Sequence, residues 1–237
     1  MRLRLVAMGF MVACGDDSSH ASSPDAPAVD APSRPDVAPT MPDADPTSRP
    51  GWALIWHDEF DGTGAPNPAN WGYEVGYLRN NEQQYYTDNR RENARVENGT
   101  LVIEARNDNF DGHAITSASL TTSGKAAFRY GRIEVRAKIP TGNGTWPAIW
   151  TLGTNIGTVG WPTCGEIDIM ENVGFAPTTI YGTVHMGAGA HGGNLDITTP
   201  WTDFHVYAVE WYTDRIDFFV DEQKYFTYMN DGSGIAS

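Results

Sequence analysis

The chain has 237 residues, with 30 acidic side chains against 16 basic ones and a formal charge of −14. Such a surface repels nucleic acid and anionic lipid, both of which need a basic face. All eight tryptophans follow residue 51, where they serve either core packing or open platforms for sugar rings.

In chain order, Met1-Arg2-Leu3-Arg4 gives a positive start, Leu5 to Ala13 a short apolar run, and Met11-Val12-Ala13-Cys14 a small-residue approach to a cysteine. Residues 1–14 read as a secretory signal, too short to span a bilayer. The ending resembles a bacterial lipoprotein processing site, which predicts Cys14 as a lipidated mature N-terminus. That leaves Cys164 without a partner in the domain, a Cys14–Cys164 bridge being the alternative. The expected location is secreted or on the cell surface, as an outer-membrane lipoprotein that meets the membrane only through this anchor. Residues 15–50 hold eight prolines among Asp, Ala and Ser. With so little apolar surface they cannot offset chain entropy, and they read as an extended, disordered tether.

From Trp52 onward, residues 51–237 form one domain of short strands. Val96 to Ile103 places Asn98-Gly99 between two apolar runs, a hairpin signal. Ile133 to Ile139 alternates apolar and charged residues, a strand with one wet face; Tyr181 to His185 and Ile216 to Val220 read as further strands. No segment sustains a period of 3.6, and Asp61-Gly62, Asp111-Gly112 and Asp231-Gly232 mark turns. The expected fold is all-β, an antiparallel β-sandwich or jelly roll.

The chemistry concentrates in Gly165-Glu166-Ile167-Asp168-Ile169-Met170-Glu171. Glu166 and Asp168, two apart, share a strand face, while Ile167 and Ile169 face the core. Glu171 falls on the wrong face of a regular strand, and one extra residue at about Met170, a β-bulge, restores it. Three acids on one face repel one another, which folding alone does not require. A solvated face or a cation site is the bland alternative, and the flanking Trp146, Trp150 and Trp161 are too apolar for it. Four effective strand steps separate the two glutamate Cα atoms by about 13 Å. Side chains leaning together could close this to the roughly 5–5.5 Å between carboxyl groups that retaining glycosidases use.

This motif resembles the signature of glycoside hydrolase family 16. The resemblance extends through Trp56-His57-Asp58-Glu59-Phe60, Asn80-Asn81-Glu82-Gln83-Gln84-Tyr85-Tyr86, Tyr130 to Arg136, Trp146-Pro147-Ala148-Ile149-Trp150 and Trp161 to Gly165. It implies a concanavalin A-like jelly roll with a concave sheet as cleft, and retaining endo-hydrolysis of β-1,3-glucan of the laminarin type. It further implies Glu166 as nucleophile, Asp168 as its helper and Glu171 as general acid/base, with Asn81, Trp146, Trp150, Trp161 and His185 lining the donor side. Asp168 is expected to raise the pKa of the acid by its charge and to orient the nucleophile by a hydrogen bond.

Relatives in this family continue past the position of Ser237, so a last pair of strands, one of them central, is expected to be lacking. The family's structural calcium, near Glu59 and Gly99, would then want its final aspartate, and no cofactor or metal is required by the reading. The expected partner is a neutral β-glucan, possible mixed β-1,3-1,4 linkages included, bound by a monomer. A non-catalytic glucan-binding module, or an inactive fragment of the same fold, is the alternative. Sulfated galactans would be repelled by so acidic a cleft, and transglycosylation would use the same covalent intermediate.

Overall fold

The computed structural model describes residues 51–230 and 232, together with the backbone of 2–3 and 8–12. The tether at 15–50, Cys14 and Asp231 lie outside the described residues. In chain order the strands are β1 (Arg2–Leu3), β2 (Met8–Val12), β3 (Gly72–Glu74), β4 (Tyr85–Tyr86), β5 (Ala94–Glu97), β6 (Thr100–Ile103), β7 (Arg106–Phe110), β8 (His113–Ser117) and β9 (Ser119–Thr121). Then follow β10 (Gly131–Ala137), β11 (Thr145–Leu152), the short helix α1 (Ile156–Val159), β12 (Glu166–Glu171), β13 (Thr179–Met186) and β14 (Gly189–Asp196). The last three are β15 (His205–Trp211), β16 (Arg215–Val220) and β17 (Gln223–Met229).

Two large sheets make the sandwich. One is ordered β14-β13-β12-β11-β2-β9-β3 and the other β1-β10-β15-β16-β17, with a three-stranded sheet β4-β8-β7 and the β5-β6 hairpin beside them. In the hairpin, Asn98 and Gly99 take φ of 53° and 70°. Two successive left-handed residues are what a two-residue turn needs to match the strand twist. The inner faces read off the alternation: Ile180, Val184 and Met186 of β13 are buried, while Thr179, Tyr181, Thr183 and His185 between them are not. They meet Ile133 and Val135 of β10, Tyr207 and Val209 of β15 and Phe218 of β16 across the core.

The wet face expected for 133–139 holds at Arg136 and Lys138. Beside them Arg132 is 1% exposed, because Glu134, Glu210 and Glu222 close on its guanidinium at 2.8, 3.1 and 2.9 Å. Three charge-assisted bonds replace the water that this buried cation gives up. The segment Trp56 to Phe60 is tied down by Asp58, whose carboxylate accepts from Trp71 Nε1 and Asn70 Nδ2, both at 2.9 Å. The backbone of β2 pairs with β11 over five positions and with β9 at Gly9↔Ser119, so residues 8–12 occupy the slot between those strands.

The sheets approach closely at Gly182. A Cβ there would lie 2.4 Å from Tyr225 Oη and 2.5 Å from Phe218 Cδ1. Overpacking of this kind costs about 1–3 kcal/mol. Gly182→Ala is expected to lower the melting temperature by roughly 2–10 °C. Gly157→Ala, whose Cβ meets nothing within 4 Å, is the control, and equal melting of the two variants in a thermal scan would refute the close approach.

Candidate active site

The cleft is built on β12 by a break in register. Against β11, Ile149 pairs with Met170 and the next residue, Trp150, with Asp168, so Ile169 is passed over. Against β13, Asp168 pairs with Thr183 and Glu171 with Tyr181, so three steps on β12 oppose two on β13. The extra residue thus falls within Ile169–Met170, where the sequence required it, and both side chains are 1% exposed in the core. Tyr181, Thr183 and His185 share the outer face of β13. Their partners Glu171, Asp168 and Glu166 therefore share the same outer face.

Each carboxylate has its own neutral or titratable partner. Trp161 Nε1 donates to Glu166 Oε2 at 2.9 Å, and Trp146 Nε1 donates to Glu171 Oε1 at 2.9 Å. His185 Nε2 lies 3.0 Å from Asp168 Oδ2. Trp161 is 58% exposed, whereas Trp146 is half-buried. The loop carrying Trp161 is pinned by Gly153 N, which donates to Gly165 O at 2.9 Å. Only glycine fits there, since a Cβ on Gly153 would sit 1.9 Å from the Cys164 carbonyl oxygen.

The electrostatics separate the three acids. Burial pushes Asp168 up to about 7, opposed by its bond to His185 and reinforced by the charges of Glu171 and Glu166. Glu171 is also raised, first by burial and then by Glu166, against the Trp146 hydrogen bond. His185 is raised, mainly by its bond to Asp168. Two sequence expectations change here. Burial, rather than the charge of Asp168, is the leading cause at Glu171, and the observed partner of Asp168 is His185 rather than Glu166.

The other sequence candidates fall unevenly. Trp150 stands opposite Asp168 on β11, and the guanidinium of Arg79 lies 5.1 Å from its ring centroid. Sequence reasoning missed Arg79, which is held by Glu74 at 2.6 Å and has no local motif to betray it. Asn81 is exposed in a left-handed turn with Asn80, φ 53° at each, on the same loop as Arg79. Donor atoms of Glu166, Asp168 and His185 lie within 4.8 Å of one another and could hold a divalent ion. Closing on one would break the Trp161 Nε1 hydrogen bond to Glu166 and displace His185 from its 3.0 Å contact with Asp168.

The model of glycosyl hydrolases family 16 matches residues 81–235. A beta-glucanase of Rhodothermus marinus is 50% identical over 192 residues, covering 77% of this chain and 67% of that protein. The chain belongs to glycosyl hydrolase family 16. The X-ray structure of the laminarinase from Rhodothermus marinus superposes with a TM-score of 0.74 at 49% identity, covering 76% of each chain. A second family 16 structure has a TM-score of 0.75 at 40% identity, covering 79% of each chain. It is a mutant of a non-specific endo-beta-1,3(4)-glucanase, presenting 1,3-beta-D-cellobiosyl-glucose at its active site. The chain spans 34% of a Niallia circulans glucan endo-1,3-beta-glucosidase that is 36% identical over 233 residues. The sandwich and the jelly-roll expectation accord with these neighbours.

The indole of Trp146 stabilises the ionised form of Glu171. In Trp146→Phe the ring stays and the N–H goes, so the Glu171 pKa rises further. Any pH–rate profile in which Glu171 acts protonated should then have its alkaline limb displaced to higher pH. A limb that stays in place or moves down would contradict the assignment of that limb to Glu171.

Proposed function

We propose that this family 16 chain is a retaining endo-β-1,3-glucanase acting on laminarin-type glucan, and that it also accepts mixed β-1,3-1,4 linkages. The observation that carries the reading is the bulge that sets Glu166, Asp168 and Glu171 on one cleft face, with Glu171 raised by burial. In the first step the Glu166 carboxylate attacks the anomeric carbon as the bond to the leaving oxygen breaks, and Glu171 gives that oxygen its proton. A covalent glycosyl ester of Glu166 results. In the second step Glu171, now a carboxylate, takes a proton from water as the water oxygen attacks the anomeric carbon and frees Glu166.

Trp161 Nε1 orients the nucleophile, and Trp146 Nε1 steadies Glu171 whenever it is ionised. Asp168 and His185 face each other at 3.0 Å beside the nucleophile, Asp168 raised by burial and His185 by its acidic partner. Two carboxylates suffice for this chemistry, so the reaction as proposed needs no metal. From Lys138 to Arg215 the sequence carries no intervening Lys or Arg. A sulfated galactan would therefore meet the acids of β12 with no Lys or Arg on the flanking β11 and β13, whereas a neutral glucan would carry no charge for them to repel.

We further infer secretion and lipid anchoring at Cys14, from the leader pattern of residues 1–14 and the tether after it, with one chain as the working unit because it supplies both glutamates. Among the described residues no helix is long and apolar enough to cross a membrane. Cleavage before Cys14 would remove β1 and β2 and free the β11 edge. The expected product in a bacterial host is a membrane-fraction protein whose mass begins at a lipid-modified Cys14. Recovery solely as an unmodified chain starting at Met1 would count against the anchor.

The catalytic assignment separates on leaving group. On laminarin, Glu166→Gln and Glu171→Gln should each lower kcat by about 10²- to 10⁴-fold or more. On an aryl β-glucoside oligomer with a leaving group that needs no proton, Glu171→Gln should keep a burst of released phenol that Glu166→Gln lacks. Matching bursts in both variants, or wild-type turnover of laminarin by either, would overturn the roles.

A further inference from the structure

One aromatic cluster lies outside the catalytic strands and is used by none of the steps above. Tyr85 on β4 and His113 on β8 stack with ring centroids 3.7 Å apart and planes 9° apart. Tyr77 stands edge-on to both, at 5.4 Å from Tyr85 and 5.5 Å from His113, and its hydroxyl is hydrogen-bonded to His113 Nδ1 at 3.1 Å. Tyr77 is nevertheless 57% exposed, and its neighbours Val75 and Leu78 are exposed at 44% and 41%. A large ring that is both fixed and open to solvent has no role in burying the core. It does offer a preorganised face, whose ordering entropy is already met before a ligand arrives.

The cluster is joined to the cleft by one short loop. Two residues after Tyr77, Arg79 lies over the Trp150 ring at 5.1 Å and over Tyr86 at 6.0 Å, and Trp150 is the register partner of Asp168. On β4 the alternation turns Tyr86 inward beneath Arg79 and Tyr85 outward to His113. The same segment that borders the cleft at Trp150 thus carries the exposed ring beyond it. A polymer lying in an open cleft extends past the bond that is cut, so the surface next along the cleft wall is where its distal units fall.

We propose that Tyr77, braced by Tyr85 and His113, is a distal glucan-binding platform that continues the cleft beyond Trp150. Its ligand is an uncharged pyranose unit of the same β-glucan chain, stacked by its C–H face on the tyrosine ring. The inference rests on the β-glucanase reading and extends it to substrate length. Binding energy from a unit so far from the reacting carbon is felt equally in ground and transition state, and so acts on KM rather than kcat.

The test compares long and short substrates on the full chain. In Tyr77→Ala the KM for laminarin should rise about three- to tenfold, and the KM for laminaritriose, too short to reach the platform, should rise far less. Tyr77→Phe, which keeps the ring, should stay near wild type on laminarin. Equal KM changes on the two substrates, or a fall in melting temperature with no change in laminarin KM, would show that the cluster only pins the loop and would overturn the proposal. Migration in a native gel containing laminarin separates this from the parent reading. If the wild-type chain is retarded but hydrolyses nothing, the glucanase reading fails, and loss of retardation in Tyr77→Ala still supports the platform. Retardation equal in wild type and Tyr77→Ala removes the platform and leaves the hydrolase intact.

Discussion

The site depends on one surplus residue in β12. Without it, a strand running from Glu166 to Glu171 would turn the second glutamate into the sandwich, where an unpaired carboxylate is strongly disfavoured. The bulge persists because Ile169 and Met170 are both sunk in the core. Straightening the strand would bring one of them onto the cleft face and forfeit about 1.5–3 kcal/mol of apolar burial. Hydrophobic packing behind the sheet thus holds in place an arrangement of like charges in front of it that electrostatics alone would disperse.

How those charges coexist follows from what surrounds them. The long stretch free of Lys and Arg means that no permanent cation from β11, β12, β13 or β14 reaches the acids. Their hydrogen bonds come from two indoles and an imidazole instead. A guanidinium in the place of Trp146 would bind the ionised carboxylate far more strongly and oppose the upward shift that burial gives Glu171. An indole N–H orients the group while leaving its protonation to be set by burial. Arg79 reaches toward the cleft from the side, but its charge is matched by Glu74 at 2.6 Å.

Local pattern carried much of this structure. The Asn98-Gly99 hairpin, the outward Tyr181, Thr183 and His185, and the bulge near Met170 each follow from a periodicity or a turn chemistry that a few neighbouring residues define. What stayed hidden depends on residues remote in sequence. Arg79 meets Trp150 only because the sandwich folds the β3–β4 loop over β11. The near-complete burial of Arg132 required Glu210 and Glu222 from elements about eighty to ninety positions later, judged by separations of 78 and 90. The pairing of Asp168 with His185 was likewise open, because the register between β12 and β13 depends on where the bulge falls. Charge and aromatic contacts across sheets are set by topology, and no window of a single strand contains them.

The tryptophans show why residue type alone does not settle a role. Trp146 and Trp161 were equivalent as sequence features, each an aromatic flanking an acidic strand, and each in fact donates its indole N–H to a glutamate at 2.9 Å. They differ in what lies around them. Trp161 stands mostly in solvent, so Glu166 meets both its donor and water, while Trp146 is half-buried and Glu171 is raised by desolvation beside it. Two identical carboxylates with equivalent donors thereby stand in different surroundings, Glu171 beside a half-buried indole and Glu166 beside an exposed one. The asymmetry lies in where the two indoles are carried, Trp146 on strand β11 and Trp161 in the loop between α1 and β12. Environment, rather than side-chain type, is what sets the two glutamates apart.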